Sequence, residues 1–170
     1  MATAARRARP AVGWWVRQGA IGGAIAGVVF SLFEMIMGAL LKDDFFGPLR
    51  LISGIALGKQ ALMPDYSLVT AVLVGIIIHM IISIMLGVAL ALLVAYVPAL
   101  ARTTALLVAI AVGYGLIVWL VNFWVIAPLA GWTWFPNMTN PVVQFFAHTL
   151  FFGAVLGLYL DRVRRQQPVA

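Results

Sequence analysis

Cysteine is absent from this chain, acidic side chains number five, and histidine occurs only twice. Without thiols the chain carries no disulfide, no thiolate metal site and no iron–sulfur cluster of its own. Charge is equally scarce: 9% of the 170 residues are Asp, Glu, Lys or Arg against 64% hydrophobic, and the mean hydropathy is +1.07. Soluble domains carry about 25% charged residues to solvate their surfaces, so this composition excludes that class and defines an integral membrane protein.

Four apolar runs are present, at residues 19–41, 68–96, 104–127 and 142–160. Each reaches the ~20 residues a helix needs to cross a bilayer. The sequence therefore predicts an all-α, four-helix transmembrane bundle as a single domain over 18–161, between a basic arm (1–17) and a basic tail (162–170). The first run is too long for a signal peptide and contains Glu34, so it reads as a retained helix.

The formal charge of +6 and the pI near 10.6 invite a nucleic-acid reading, but the distribution of charge argues against one. Arg6, Arg7, Arg9 and Arg17 precede the first run, Arg102 joins the second to the third, and Arg162, Arg164 and Arg165 follow the fourth, with Asp161 the one acid among them. The other connections hold Lys42, Arg50 and Lys59 balanced by Asp43, Asp44 and Asp65. This asymmetry is the positive-inside pattern and predicts both termini on the cytoplasmic side. High Ala and Arg usage points to a bacterial inner membrane. The expected partners are the lipid bilayer and other transmembrane helices, in a homo-oligomer or a larger membrane complex, and no nucleic acid.

Small residues recur every four positions at Gly19, Gly23, Gly27 and Ser31, at Ala71, Gly75, Ser83 and Gly87, and at Gly153 and Gly157. Such stripes let helix backbones approach closely in lipid. His79 falls within the second stripe and so should face a neighbouring helix. Between Lys42 and Ser67, the Gly47-Pro48 start and Gly58 stop predict a short helix over 48–58, lying in the outer interface or dipping back toward the bundle. The brief joint at Pro98–Arg102 predicts an antiparallel hairpin of the second and third helices, and Trp132, Trp134 and Phe135 an aromatic lid. Trp14, Trp15 and Arg17 read as an interfacial belt on the arm.

Glu34, His79, Asn122 and His148 each interrupt a different apolar run. Ionisable groups in hydrocarbon cost a few kcal/mol and are functional candidates by default. Counted at 1.5 Å per residue from the expected helix ends, all four fall about 7–16 Å below the outer surface. That common depth predicts one shared site, with Arg50 pairing with Glu34 and Gln144 hydrogen-bonding the His148 imidazole. Glu34, His79 and His148 supply the ligand types for a divalent metal. The two histidines could instead hold a haem b, with Gly75 making room for the macrocycle. A third option is a proton relay or a quinone-type small ligand without metal. The bland alternatives are an ion-paired or protonated Glu34, a His79 bonded to Ser83 or to a backbone carbonyl, an interfacial His148 and an Asn122 that joins helices.

The order of these marks resembles a family of small bacterial four-helix membrane proteins: Phe33-Glu34-Met35 closing a Gly-rich helix, Gly47-Pro-Leu-Arg50, Leu57-Gly58, a second-helix His, Asn122-Phe123, and Phe146-Ala-His148 followed by Phe152-Gly153. Its members are sometimes labelled sodium:proline symporters, although four helices cannot build the paired broken-helix repeats of such transporters. The resemblance implies this architecture and no established activity. The expected function is a non-catalytic accessory subunit of a larger membrane complex, whose polar site takes a metal, haem or small ligand. The alternatives are a stand-alone haem- or metal-dependent redox protein and an oligomeric transporter gated by Glu34.

Overall fold

The computed structural model describes residues 12–166, which are almost entirely helical and contain no strand. Arg6, Arg7 and Arg9 of the expected basic arm, and the tail beyond Gln166, lie outside the described residues. Six helices follow in order: α1 (Val12–Lys42), α2 (Gly47–Leu57), α3 (Leu68–Tyr96), α4 (Thr104–Leu129), α5 (Trp134–Met138) and α6 (Pro141–Arg165). Of these, α1, α3, α4 and α6 are long and apolar enough to cross a membrane. Two expectations at the N-terminal end are corrected. α1 already begins at Val12, so the segment read as a flexible arm is partly helix. Trp15 is buried in the main core beside Leu90, Leu156 and Leu160 instead of standing in an interfacial belt.

Local sequence explains the helix ends. Ser67 and Thr103 cap α3 and α4 by accepting from the backbone N–H of Thr70 and Leu106, and Asn140 does the same for α6 through Val142 and Val143. Pro48 sits in the first turn of α2, and Gly58, at φ +76°, ends it by donating its N–H to Gly54 O at 2.8 Å.

The glycine stripes are used inside the bundle. Gly19, Gly23 and Gly27 of α1 lie against Ser83, Gly87 and Val88 of α3, so close that a Cβ on any of them would collide. Gly153 and Gly157 of α6 meet Ala111 of α4 in the same way. Gly75 is covered by the backbone of Leu49, because α2 folds back onto α3. α1 thus packs on α3 and on α6, and α6 on α4.

The expected hairpin of the second and third spans is only partly formed. α3 and α4 meet at the turn Pro98–Ala101 and are bridged by Tyr114, whose hydroxyl donates to Leu86 O at 3.0 Å, yet they do not pack along their lengths. The small residues of α3 face α1 and α2, and Ala111 and Gly115 of α4 face α6, which leaves the α3–α4 side without a close-packing surface. At the arginine-rich end, buried Asp161 accepts from Thr104 Oγ1 at 2.9 Å and pairs with Arg164 at 2.6 Å and Arg165 at 2.8 Å. Tyr159 donates to Gln18 at 2.8 Å and ties α6 to α1.

Candidate functional site

α1, α3, α4 and α6 enclose a cavity of about 130 Å³ roofed by α2 and the segment around α5. Glu34, His79, Asn122 and His148 all line it, together with Gln144. Four helices therefore each contribute one of the four polar side chains to one volume. The walls are otherwise mostly apolar and aromatic, with Phe30, Phe123, Trp132 and Phe135 among them and Ser31, Ser83 and Thr139 as further polar members. The aromatic segment closes the top: Trp134 is buried and donates its indole N–H to Leu51 O at 3.0 Å, while Trp132 and Phe135 face the cavity.

Glu34 is 8% exposed. Its Oε2 accepts from Gln144 Nε2 at 2.9 Å, and its Oε1 is buried with no protein partner. Leaving such an oxygen unpaired costs about 1–3 kcal/mol, which marks it as a position for something the protein does not supply. His79 Nε2 lies 2.9 Å from Gly27 O and 3.4 Å from Ser83 Oγ. His148 Nδ1 lies 2.9 Å from Gln144 O in the preceding turn. A carbonyl oxygen only accepts, so both of these ring nitrogens carry the proton. The other nitrogen of each imidazole is left as an acceptor when the ring is neutral. Asn122 is half-buried at the cavity wall.

Both α4 and α6 widen where they meet the site. The backbone takes i→i+5 hydrogen bonding over Asn122–Ile126 and over Ala147–Ala154. Such widenings in an α-helix recur at functional sites. In α4 it precedes Pro128, whose ring cannot sit against the carbonyl four residues back in a regular helix. In α6 it pushes the His148 carbonyl against Gly115, where a Cβ would have no space. Pro128 signals the first of these bulges in the sequence, and no residue type announces the second. Phe30, by contrast, was legible by its spacing one turn before Glu34: its ring centroid lies 5.2 Å from that of His79 and 4.8 Å from that of His148. Trp119 adds a buried indole N–H without a partner, its ring 6.5 Å from His148.

Several expected roles are corrected. Arg50 does not pair with Glu34: its guanidinium donates to the carbonyls of Ala61 and Met63, holding the connection after α2 in place. The Gln144 carboxamide serves Glu34, and it is the Gln144 backbone that holds His148. Glu34, His79 and His148 do not form a metal-ligand cluster. Among the described residues no three His, Cys, Asp or Glu side chains come together to hold a metal ion. The Phe30 ring packs against both imidazoles, its centroid 5.2 Å from that of His79 and 4.8 Å from that of His148, and takes up space beside them. The same ring, and the covering of Gly75 by α2, remove the room expected for a haem between the histidines.

Above the cavity lies a second recess of about 150 Å³ lined by Lys42, Asp44, Arg50 and Asn140. Glu34 and Gln144 line both volumes, together with Pro48, Leu51 and Thr139, so their hydrogen bond lies at the boundary between the charged recess and the chamber. Compared with known proteins, the chain matches no family model, no curated protein and no solved structure, so the functional reading rests on this geometry.

Proposed function

We propose that this chain is a multi-pass protein of a bacterial cytoplasmic membrane that binds a small hydrogen-bonding molecule in the cavity between its helices and performs no chemistry of its own. The orientation follows from charge. Arg17, Arg102, Arg162, Arg164 and Arg165 mark the cytoplasmic end, and the acid-balanced connection with Lys42, Asp43, Asp44, Lys59 and Asp65 marks the outer one. In that frame α2 lies at the outer interface and the cavity in the outer half of the bilayer.

The observation that carries the reading is Glu34 Oε1: a buried carboxylate oxygen without a protein partner, in a cavity that His79, His148 and Asn122 also line. A hydrogen-bonding guest at this oxygen completes the set. Catalysis is not favoured, because Arg50, the strongest candidate for positioning a substrate, is committed to the Ala61 and Met63 carbonyls. Transport through the monomer is not favoured either. The inner half is filled by Leu90, Val94, Leu107, Leu156 and Leu160, at most 1% exposed, and the polar groups near its end, Asp161 and Tyr159, are engaged in contacts that tie helices together. The glycine stripes from which an accessory-subunit role is expected are consumed within the bundle and supply no argument for a larger complex.

The experiment is organic extraction and mass spectrometry of the purified protein, with an absorption spectrum and elemental analysis alongside. The expected result is a stoichiometric small molecule that is lost from Glu34→Leu and retained in Lys59→Ala. A Soret band, or a stoichiometric transition metal lost in His148→Ala, overturns the reading in favour of a redox centre.

A further inference from the structure

The cavity leaves one side of the bundle unaccounted for. Besides His79 and Asn122, its walls on α3 and α4 include Ile82, Leu86, Val118 and Ile126, and these are the two helices that do not pack along their lengths. Ile126 is 43% exposed on the outer surface of the bundle while also lining the cavity. Ile126 thus joins the cavity wall to the apolar flank beside α4, the Tyr114 hydroxyl bridges α4 to Leu86 of α3, and residues of α1, α6 and α2 and Trp132 line the other sides.

Its size and lining restrict what can enter. A cavity of roughly 150 Å³ lined by apolar side chains accommodates benzene, so about 130 Å³ holds one six-membered ring and little more. Phe30, Phe123 and Phe135 offer edges and faces to such a ring. The polar groups set the head chemistry. Glu34 Oε1 lacks a partner, and the histidine nitrogens not held by backbone carbonyls are acceptors. A hydroxyl suits a carboxyl group in either protonation state, because it both donates and accepts.

Resting on the binding function proposed above, we propose that the gap between α3 and α4 is a lateral entrance through which a membrane-dissolved amphiphile with a hydroxyl-bearing aromatic head places that head against Glu34, its apolar tail remaining in the gap and the bilayer. The tail adds buried apolar area at the α3–α4 gap, and the hydroxyl satisfies the oxygen the protein leaves unpaired.

Three probes test this on the full chain in detergent micelles, with binding read from the dependence of the melting temperature on probe concentration: 4-decylphenol, its O-methyl ether 4-decylanisole, and tailless phenol. The expected result is that 4-decylphenol binds at least tenfold more tightly than either of the others and that Glu34→Leu removes its effect. Ile126→Trp, at the flank, should weaken 4-decylphenol at least tenfold more than it weakens phenol. Equal binding of 4-decylanisole overturns the hydroxyl head, and indifference to Ile126→Trp overturns the lateral entrance. Glu34-dependent binding of phenol with no advantage from the tail refutes the entrance while sparing the cavity's binding role. Binding of none of the three, beside a co-purified molecule of other chemistry, refutes the amphiphile alone. If nothing co-purifies either, both readings fail.

Discussion

Glu34 shows how one atom can carry a functional argument in a chain this apolar. Gln144 supplies the one protein hydrogen bond to its carboxyl group, so Gln144→Leu leaves both oxygens buried and unpaired. That substitution is expected to cost about 1–3 kcal/mol, measured as unfolding in mixed micelles with SDS. Adding Glu34→Leu removes the stranded oxygens together with their partner, and the double variant is expected to regain most of the loss. A double variant no more stable than Gln144→Leu alone would contradict the hydrogen-bonding account. Sequence spacing was enough to name Glu34, His79, Asn122 and His148. It could not assign their partners: Arg50 was chosen for Glu34 by charge, yet two backbone carbonyls hold it. In low dielectric an uncharged carboxamide on the right helix face displaces a cation that would have to be desolvated.

At the scale of elements, glycine contacts decide which helices touch. Gly75 sits under the Leu49 carbonyl and fixes α2 against α3, whereas nothing approaches Gly113 within 4 Å. Gly75→Ala is therefore expected to force α2 outward and destabilise the protein by about 1–3 kcal/mol. Gly113→Ala should be neutral or stabilising by about 0.5–1 kcal/mol, as for a helix-interior glycine without packing duties. SDS unfolding of the two single variants checks this contrast, and an equal effect at both positions contradicts the docking of α2. The four-residue stripes were readable in the sequence as close-packing surfaces, but not which helix each would meet. The widened turn in α4 is signalled by Pro128, whereas that in α6 had no compositional signature, because it answers to the Gly115 contact between helices.

At the scale of the whole molecule, the absence of cysteine makes the topology directly measurable. A single cysteine at Lys59 is expected to react with a membrane-impermeant maleimide in intact cells, and one at Arg102 only after permeabilisation. Labelling of Arg102→Cys in intact cells would reverse the orientation and place the cavity in the inner leaflet. Composition and periodicity by themselves determined that the chain is helical, that four segments are long and apolar enough to span a bilayer, and which polar residues interrupt them, since each follows from local transfer energies along the chain. Their common depth already pointed to one chamber, which the fold provides; only the tertiary structure decided which partner each takes, that Phe30 packs against both imidazoles, and that α3 and α4 part. The physical reason is that helix partners are chosen by side-chain relief across the bundle, through contacts such as Gly23 on Ser83 and Gly115 on His148, and no local property of either strand of sequence encodes that pairing.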